Sequence, residues 1–352
     1  MNRSPSTIAA GRSAAGNAVR VVRALEQERW SAFVNHHPDG RIFHTPEMHR
    51  VFAETRGHRP EVWATLDEAG EIRALITPVA IDTLRRLLRA LTTRVVAFAG
   101  PLVEGGAGER EALHALLDTY RHRTRRRVLY TEIRHLVDAE DLAPVLAACG
   151  FDHERHLNFL VDLTAPEDAL WQRVAPSARR NVRRAQREGV AVGEVADPTR
   201  VAGGYEVLRE VYRRIRVPLP DRTLFEAAVR VLGPLGRMKF LTASLGHRTI
   251  GVLTLLLYKG VATYWYTGTL RAFASCRAGD LLTWHAIVSA RRAGCRELDF
   301  GGAGRPDEPY GVRDFKAKYG GRLVDFGRER WVPSPARLRA ATVGYELMRR
   351  FL

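Results

Sequence analysis

Three cysteines in 352 residues, Cys149, Cys276 and Cys295, are too few and too far apart for a disulfide framework or a zinc site. They read as small buried hydrophobes in a reducing compartment. Long apolar runs are missing too, since no stretch approaches the roughly 18 residues of a membrane span. The N-terminus, rich in Ser, Ala, Gly and Arg, lacks the apolar centre of a secretory signal and reads as a disordered leader over 1–20. No fixed-period repeat, nucleophile elbow or paired-carboxylate constellation appears. The histidines show no ligand spacing, so no metal is expected. Asp299-Phe300-Gly301 invites comparison with a kinase, but no phosphate-covering glycine loop, strand lysine or His-Arg-Asp segment stands upstream.

Lysine is scarce as well. The formal charge of +16 comes from 55 Lys+Arg against 39 Asp+Glu, and nearly all of the cations are arginines. Arginine suits bidentate phosphate contacts. The same bias also follows from a GC-rich genome, and composition leaves both readings open. With 45% hydrophobic and 27% charged residues, the chain is globular and long enough for two domains.

The pattern predicts a first domain over 21–153. It has helices at Ala24–His36, Thr45–Thr55, Glu109–Arg123 and Asp141–Ala148, and strands at Glu61–Leu66, Ile72–Ile81, Thr93–Phe98 and Val128–Ile133. The second, over 154–330, opens on a strand at Asn158–Leu163. Helices follow at Ala169–Val174, Ser177–Glu188, Thr199–Arg214 and Leu224–Leu232. A meander comes next, Met238–Leu245, Thr249–Tyr258 and Val261–Thr267, and a last strand at Arg322–Phe326. Both halves fit a mixed α/β class (α+β mixed sheets). The stripe Leu338, Ala341, Tyr345, Met348, Leu352 makes 335–352 an amphipathic helix, expected to dock on the second domain.

Chemistry is expected in three places. On the helix Ser177–Glu188, capped by Ser177, Arg179, Arg183 and Arg187 share a face and Arg180 with Arg184 forms a second stripe. No matching acidic stripe offsets them, which favours contact with phosphate or an RNA backbone. Arg123, Arg125, Arg126 and Arg127 form another basic run, read as charge at a helix C-terminus. In the meander, alternation sends Tyr264 and Tyr266 to one face and Trp265 to the other, and Tyr266 is the candidate for substrate contact. Finally, a helix through Leu281–Val288, a strand at Arg296–Phe300 and a glycine loop at 301–304 lead to Phe315-Lys316 ahead of Tyr319-Gly320-Gly321. A lysine placed so can meet a carbonyl or phosphate oxygen. Arg277-Ala278-Gly279, ahead of that helix, is an incomplete form of the turn that seats a pyrophosphate on a helix N-terminus.

These motifs, in order, carry a resemblance. W-x6-A-R-R-N-V-R-R-A-x-R-E-G-V (Trp171–Val190), L-L-x-W-x-A-I-x-x-A-x-x-x-G (Leu281–Gly294), L-D-F-G-G and D-F-K-A-K-Y-G-G resemble the second domain of Fem-type aminoacyltransferases and their GNAT-like acyltransferase relatives. F-H-T-P-E-M (Phe43–Met48) is similar to the first, and the likeness covers about 25–330. It implies two GNAT-like domains, each a mixed sheet flanked by helices, with a cleft between them.

The activity it implies is transfer of an amino acid from aminoacyl-tRNA to an amine of a phosphate-bearing, peptidoglycan-type envelope precursor. An acyl-CoA-dependent N-acyltransferase linked to exopolysaccharide or secondary metabolism is the alternative, and a non-catalytic RNA- or envelope-binding scaffold is a second. Either donor is a co-substrate, so no bound cofactor is expected. The expected place is the cytoplasm, including the inner face of the membrane. By resemblance Lys316 is the catalytic cation, Phe315 and Tyr319 flank the substrate, and Arg216 binds acceptor phosphate. As an oxyanion donor, Lys316 would supply on the order of 3–4 kcal/mol. For Asp299 and Asp314, loop capping or a salt bridge to Arg313 is favoured over taking the amine proton.

Overall fold

The computed structural model describes residues 8–11, 19–82, 93–106 and 108–349. Contacts divide the chain into two compact units, 1–53 with 57–155 and 326–352, and 54–56 with 156–325. The expected border at residue 330 therefore shifts, because 326–330 leaves the second unit for the first.

Unit 1 begins with β1 (Ile8–Gly11) antiparallel to β2 (Val19–Val22), so part of the expected leader is a strand. The leader's other residues, 1–7 and 12–18, lie outside the described ones. Next come α1 (Gln27–His36), α2 (Pro46–Ala53), β3 (His58–Pro60), β4 (Trp63–Leu66), β5 (Ile72–Ile76) and β6 (Pro78–Asp82). The run 72–81, read as one strand, is two. The chain changes sheets at Thr77-Pro78, where proline has no N–H to continue a ladder. Then follow β7 (Thr93–Ala97), β8 (Leu102–Val103), α3 (Glu109–Thr124), β9 (Tyr130–Arg134), α4 (Ala143–Ala148) and β10 (Asp152–Glu154). β7 and β9 are parallel, with α3 crossing between them and burying Leu113, Leu116, Leu117 and Tyr120. One sheet runs β1-β2-β4-β5-β8.

Unit 2 contains β11 (Leu157–Asp162), α5 (Glu167–Arg173), α6 (Pro176–Arg187), β12 (Val190–Glu194), α7 (Ala202–Arg214) and α8 (Thr223–Leu232). It continues through β13 (Met238–Leu245), β14 (Arg248–Tyr258), β15 (Val261–Thr269), α9 (Ala278–Arg292), β16 (Glu297–Gly302), α10 (Gly311–Ala317) and β17 (Arg322–Asp325). One sheet, β12-β13-β14-β15-β16-β11-β17, joins its strands, and β15 and β16 are parallel across α9. α9 lies on one face, where a Cβ on Gly251 would stand 2.9 Å from Leu282. α7 lies on the other, where a Cβ on Gly268 would meet Val211 at 3.1 Å. Ser177 is not the cap of α6. Pro176 opens that helix and Ala175 precedes it without a side-chain cap, because proline at the first position has no N–H to satisfy.

The chain then returns to unit 1. β18 (Arg328–Trp331) enters its second sheet, ordered β10-β18-β9-β7-β6-β3, and Trp331 packs on Tyr120 and Phe151. α11 (Pro335–Arg349) follows, with Arg337 donating to the carbonyls of Arg125, Arg126 and Val128. The C-terminal helix thus docks on unit 1, not on the second domain. An apolar stripe shows that a helix has a buried side but not which core will cover it. Side chains beyond Gly344, including those of Tyr345, Met348 and Leu352, lie outside the described ones.

Candidate active site

The site of interest in unit 2 forms where two parallel strands part. β15 and β16 pair over Val261–Thr263 and Glu297–Asp299, and the ladder stops there. Each strand carries an extra residue just past that point. In β15, Trp265 and Tyr266 together oppose Thr254, whose hydroxyl receives the Tyr266 N–H at 2.9 Å. In β16, Phe300-Gly301 bulges against Phe159, and Gly301 takes φ 69°, a left-handed value natural to glycine.

Asp299 fixes the second bulge. It is 3% exposed and accepts the Gly301 N–H at 2.6 Å and the Asn158 amide at 3.3 Å. Burial pushes its carboxyl up to about 6 against the opposing pull of the Gly301 N–H and the nearby Lys316 charge. This is the capping role expected for it.

Lys316 sits on α10, 7% exposed, with Nζ donating to the Gly302 carbonyl at 2.7 Å and to the Gly301 carbonyl at 3.3 Å. Burial lowers its pKa to about 8, and Asp299 acts in the opposite direction. One turn earlier on the same helix, Arg313 donates to the carbonyls of Ala303, Arg305 and Pro306. Two cations on one helix face therefore hold carbonyls of the glycine loop and of the Arg305-Pro306 segment after it. The salt bridge expected between Arg313 and Asp314 does not form, because the guanidinium is taken by the loop. Asp314 is exposed.

Phe315 and Tyr319, expected beside substrate, belong to the core. Phe315 packs against Tyr319 with ring centroids 5.4 Å apart, and Tyr319 is 1% exposed. The Tyr319 hydroxyl donates to Asp280 Oδ1 at 3.2 Å, and Asn181 of α6 donates to Oδ2 at 3.2 Å. Asp280 lies in the first turn of α9, buried, with its pKa raised mainly by desolvation. A carboxylate of the protein itself thus occupies the positive end of this helix. Arg277, ahead of it, takes a left-handed φ of 56°.

Tyr264 and Tyr266 do not share a face. The extra residue in β15 breaks the alternation, as one inserted residue must. The Tyr264 hydroxyl reaches Thr283 of α9 at 3.3 Å, whereas Tyr266 packs against Tyr212 of α7 and edge-on against Phe225 of α8, with ring centroids 5.9 and 5.1 Å apart. Tyr266 is half-buried in this aromatic group. Tyr212, raised in pKa by burial and by its tyrosine neighbours, is a member that the sequence did not single out.

On α6, Ala178, Val182 and Ala185 are buried, and Arg180, Arg183, Arg184 and Arg187 are exposed. Arg179 donates to Gln172 at 2.6 Å, Arg183 lies over Trp171, and Arg184 pairs with Glu188. Arg180 and Arg187 have no ion-pair partner among the described residues. Arg216 is exposed on the α7–α8 connection at φ 56°, outside the Lys316 cluster. Sequence reasoning missed Arg313, Asn158, Asn181 and Asp280. The spacing of Arg313 and Lys316 at i, i+3 was the one available signal.

Residues 176–316 match the model of the acetyltransferase (GNAT) domain family, a span that runs from α6 to Lys316. No curated protein matches the chain. Among solved structures, FemX superposes with a TM-score of 0.67 at 16% identity, over 88% of this chain and 96% of that one. A tandem GNAT protein from the clavulanic acid biosynthesis pathway gives 0.59 at 14%, over 90% and 99%. The C-terminal domain of a protein named as a lysylphosphatidylglycerol synthetase, from Agrobacterium fabrum, gives 0.54 at 15%, over 91% and 96%. At such identities the likeness is one of fold, and it is the mixed α/β, GNAT-like fold expected for both halves.

Proposed function

From its place among GNAT-type acyltransferases of Fem-like fold, we propose that the chain moves an aminoacyl group from aminoacyl-tRNA to an amine on a phosphate-bearing envelope precursor. The observation that carries this choice of donor is the Asp280 carboxylate in the first turn of α9. A CoA pyrophosphate held on that helix terminus would meet a buried anion. Two unit charges about 4 Å apart repel by roughly 4 kcal/mol at an effective dielectric near 20. Beside it, α6 offers exposed arginines without a matching acidic stripe, which suits a phosphodiester backbone. The lysyl-lipid name of one fold neighbour accords with aminoacyl chemistry on this scaffold.

In this reading the acceptor amine attacks the ester carbonyl, a C–N bond forms, and the ribose oxygen leaves with the bonding pair and takes up the proton that the amine gives up. Lys316 keeps a role in altered form. Two of its three ammonium protons order the glycine loop beside the strand opening, and the third is left for a substrate oxygen. The test supplies labelled aminoacyl-tRNAs and, separately, labelled acyl-CoAs with an envelope amine as acceptor. RNase-sensitive transfer from tRNA is the expected result. Transfer from acyl-CoA alone would overturn the choice of donor.

A further inference from the structure

Unit 1 holds a cavity of about 540 Å³ that the acyl-transfer reading does not use. It lies where the parallel strands β7 and β9 begin, at the C-terminal end of α3, with Thr93, Thr124 and Val128 in its wall. In unit 2 the strand opening is at the other end of the parallel pair, where the ladder stops, so this cavity is not its counterpart. Trp63, Val95 and Val128, all buried, border it on the core side, and the Arg23 guanidinium lies over the Trp63 ring at 4.7 Å. Five arginines line it, Arg23, Arg59, Arg123, Arg126 and Arg127.

The carboxylates nearby are engaged. Glu61 receives Arg23 at 3.1 Å and the Trp63 indole at 2.7 Å, while Asp82 receives Arg59 at 2.9 Å and the Thr93 hydroxyl at 2.8 Å. Arg123, Arg126 and Arg127 are left with no ion-pair partner among the described residues. Just past the end of α3, Arg337 takes the carbonyls of Arg125, Arg126 and Val128. That clamp fixes the loop bearing two of the three cations before any ligand arrives. Guanidinium groups gathered this way repel one another unless an anion stands between them, and their planar forks match phosphate oxygens in pairs. The volume is that of a small-molecule site.

We infer that this cavity binds a small molecule through its phosphate groups, with Arg123, Arg126 and Arg127 on the phosphate. The inference does not depend on the donor assigned to unit 2. The test is calorimetric titration of the full chain with inorganic pyrophosphate and with ADP. Both should bind, and Arg126→Gln/Arg127→Gln should weaken them about tenfold or more. Arg123→Gln leaves the clamped loop untouched and should weaken them too, which separates lost binding from lost folding. Arg180→Gln/Arg187→Gln on α6 should leave both affinities unchanged. Absence of binding at millimolar probe, or affinities indifferent to the unit 1 variants, would overturn the assignment. So would a short RNA duplex being the one probe whose binding responds to them, which would make the cavity an RNA contact.

Discussion

Replacing Lys316 by methionine removes the cation that holds the Gly301 and Gly302 carbonyls and leaves Asp299 a buried carboxyl without its neighbouring charge. The pair has a pH signature whose sign can be worked out. Asp299 titrates near 3.8 when unfolded and about 6 when folded, so the folded state binds the extra proton and stability falls as pH rises through that window. Lys316 goes from 10.5 to about 8, so the folded state releases its proton first and stability rises with pH from about 8 to 10.5. Each displacement corresponds to roughly 3 kcal/mol. The pair alone therefore makes unit 2 least stable between about pH 6 and 8, where both groups are charged and buried.

Lys316→Met should cost about 1–3 kcal/mol at neutral pH, because it leaves the Gly301 and Gly302 carbonyls without their donor. Asp299→Asn/Lys316→Met removes both charges. It should cost less than the sum of the single changes by at least ~1 kcal/mol and flatten the dip between pH 6 and 8. Urea unfolding at pH 5, 7 and 9 measures this, with pulsed hydrogen exchange on unit 2 peptides to keep it apart from unit 1. An additive double variant that retains the neutral-pH dip would refute the reasoning.

Three further outcomes are expected. Gly204→Ala places a Cβ 2.5 Å from Phe240 Cε1, so overpacking of about 1–3 kcal/mol should outweigh the ~1 kcal/mol gain in helix propensity and lower the unfolding temperature. His44 and His135 are held by burial down to about 4, so unit 1 should lose stability as pH falls from 6.5 towards 4. Equal exchange protection in β7 and β9 at pH 7 and 5, after correction for intrinsic rates, would count against this. Arg180→Gln/Arg187→Gln should flatten the salt dependence of tRNA binding by a slope of roughly 1.5–2, and an unchanged slope would remove α6 as the RNA face.

Helix existence was legible wherever apolar periodicity was strong. The Leu113, Leu116, Leu117 face of α3 and the Leu281–Val288 stretch of α9 both fall in helices. The meander β13–β15 was legible as three runs, Met238–Leu245, Thr249–Tyr258 and Val261–Thr267, each within two residues of the strand observed. Short strands with distant partners were not. Val190–Glu194 and Arg328–Trp331 are held by partners distant in sequence, and nothing local distinguishes them from loop. The same holds for the docking of α11, fixed by an arginine that reaches carbonyls more than 200 residues away in the chain.

For the site, residue types proved easier to read than their contacts. The F-K segment and the tyrosines of β15 do gather near the strand opening, yet bulges decide what each one meets, and bulges leave little mark in a single sequence. An extra residue at Trp265/Tyr266 separates Tyr264 from Tyr266, and another at Phe300-Gly301 turns two carbonyls towards Lys316. A lysine read as poised for substrate is thereby engaged first with its own backbone, as Arg313 is. The consequence is a division of labour along α10. Its cations define the shape of the glycine loop, and any stabilisation of a reacting oxygen acts through a frame that they have already set. Under the proposed function, a Lys316 variant would therefore disturb loop order and chemistry together. Arg313→Gln, which removes loop contacts while leaving the Lys316 amine in place, is the change that separates them. If it lowers turnover nearly as much as Lys316→Met does, positioning of the loop is the larger part of what Lys316 contributes.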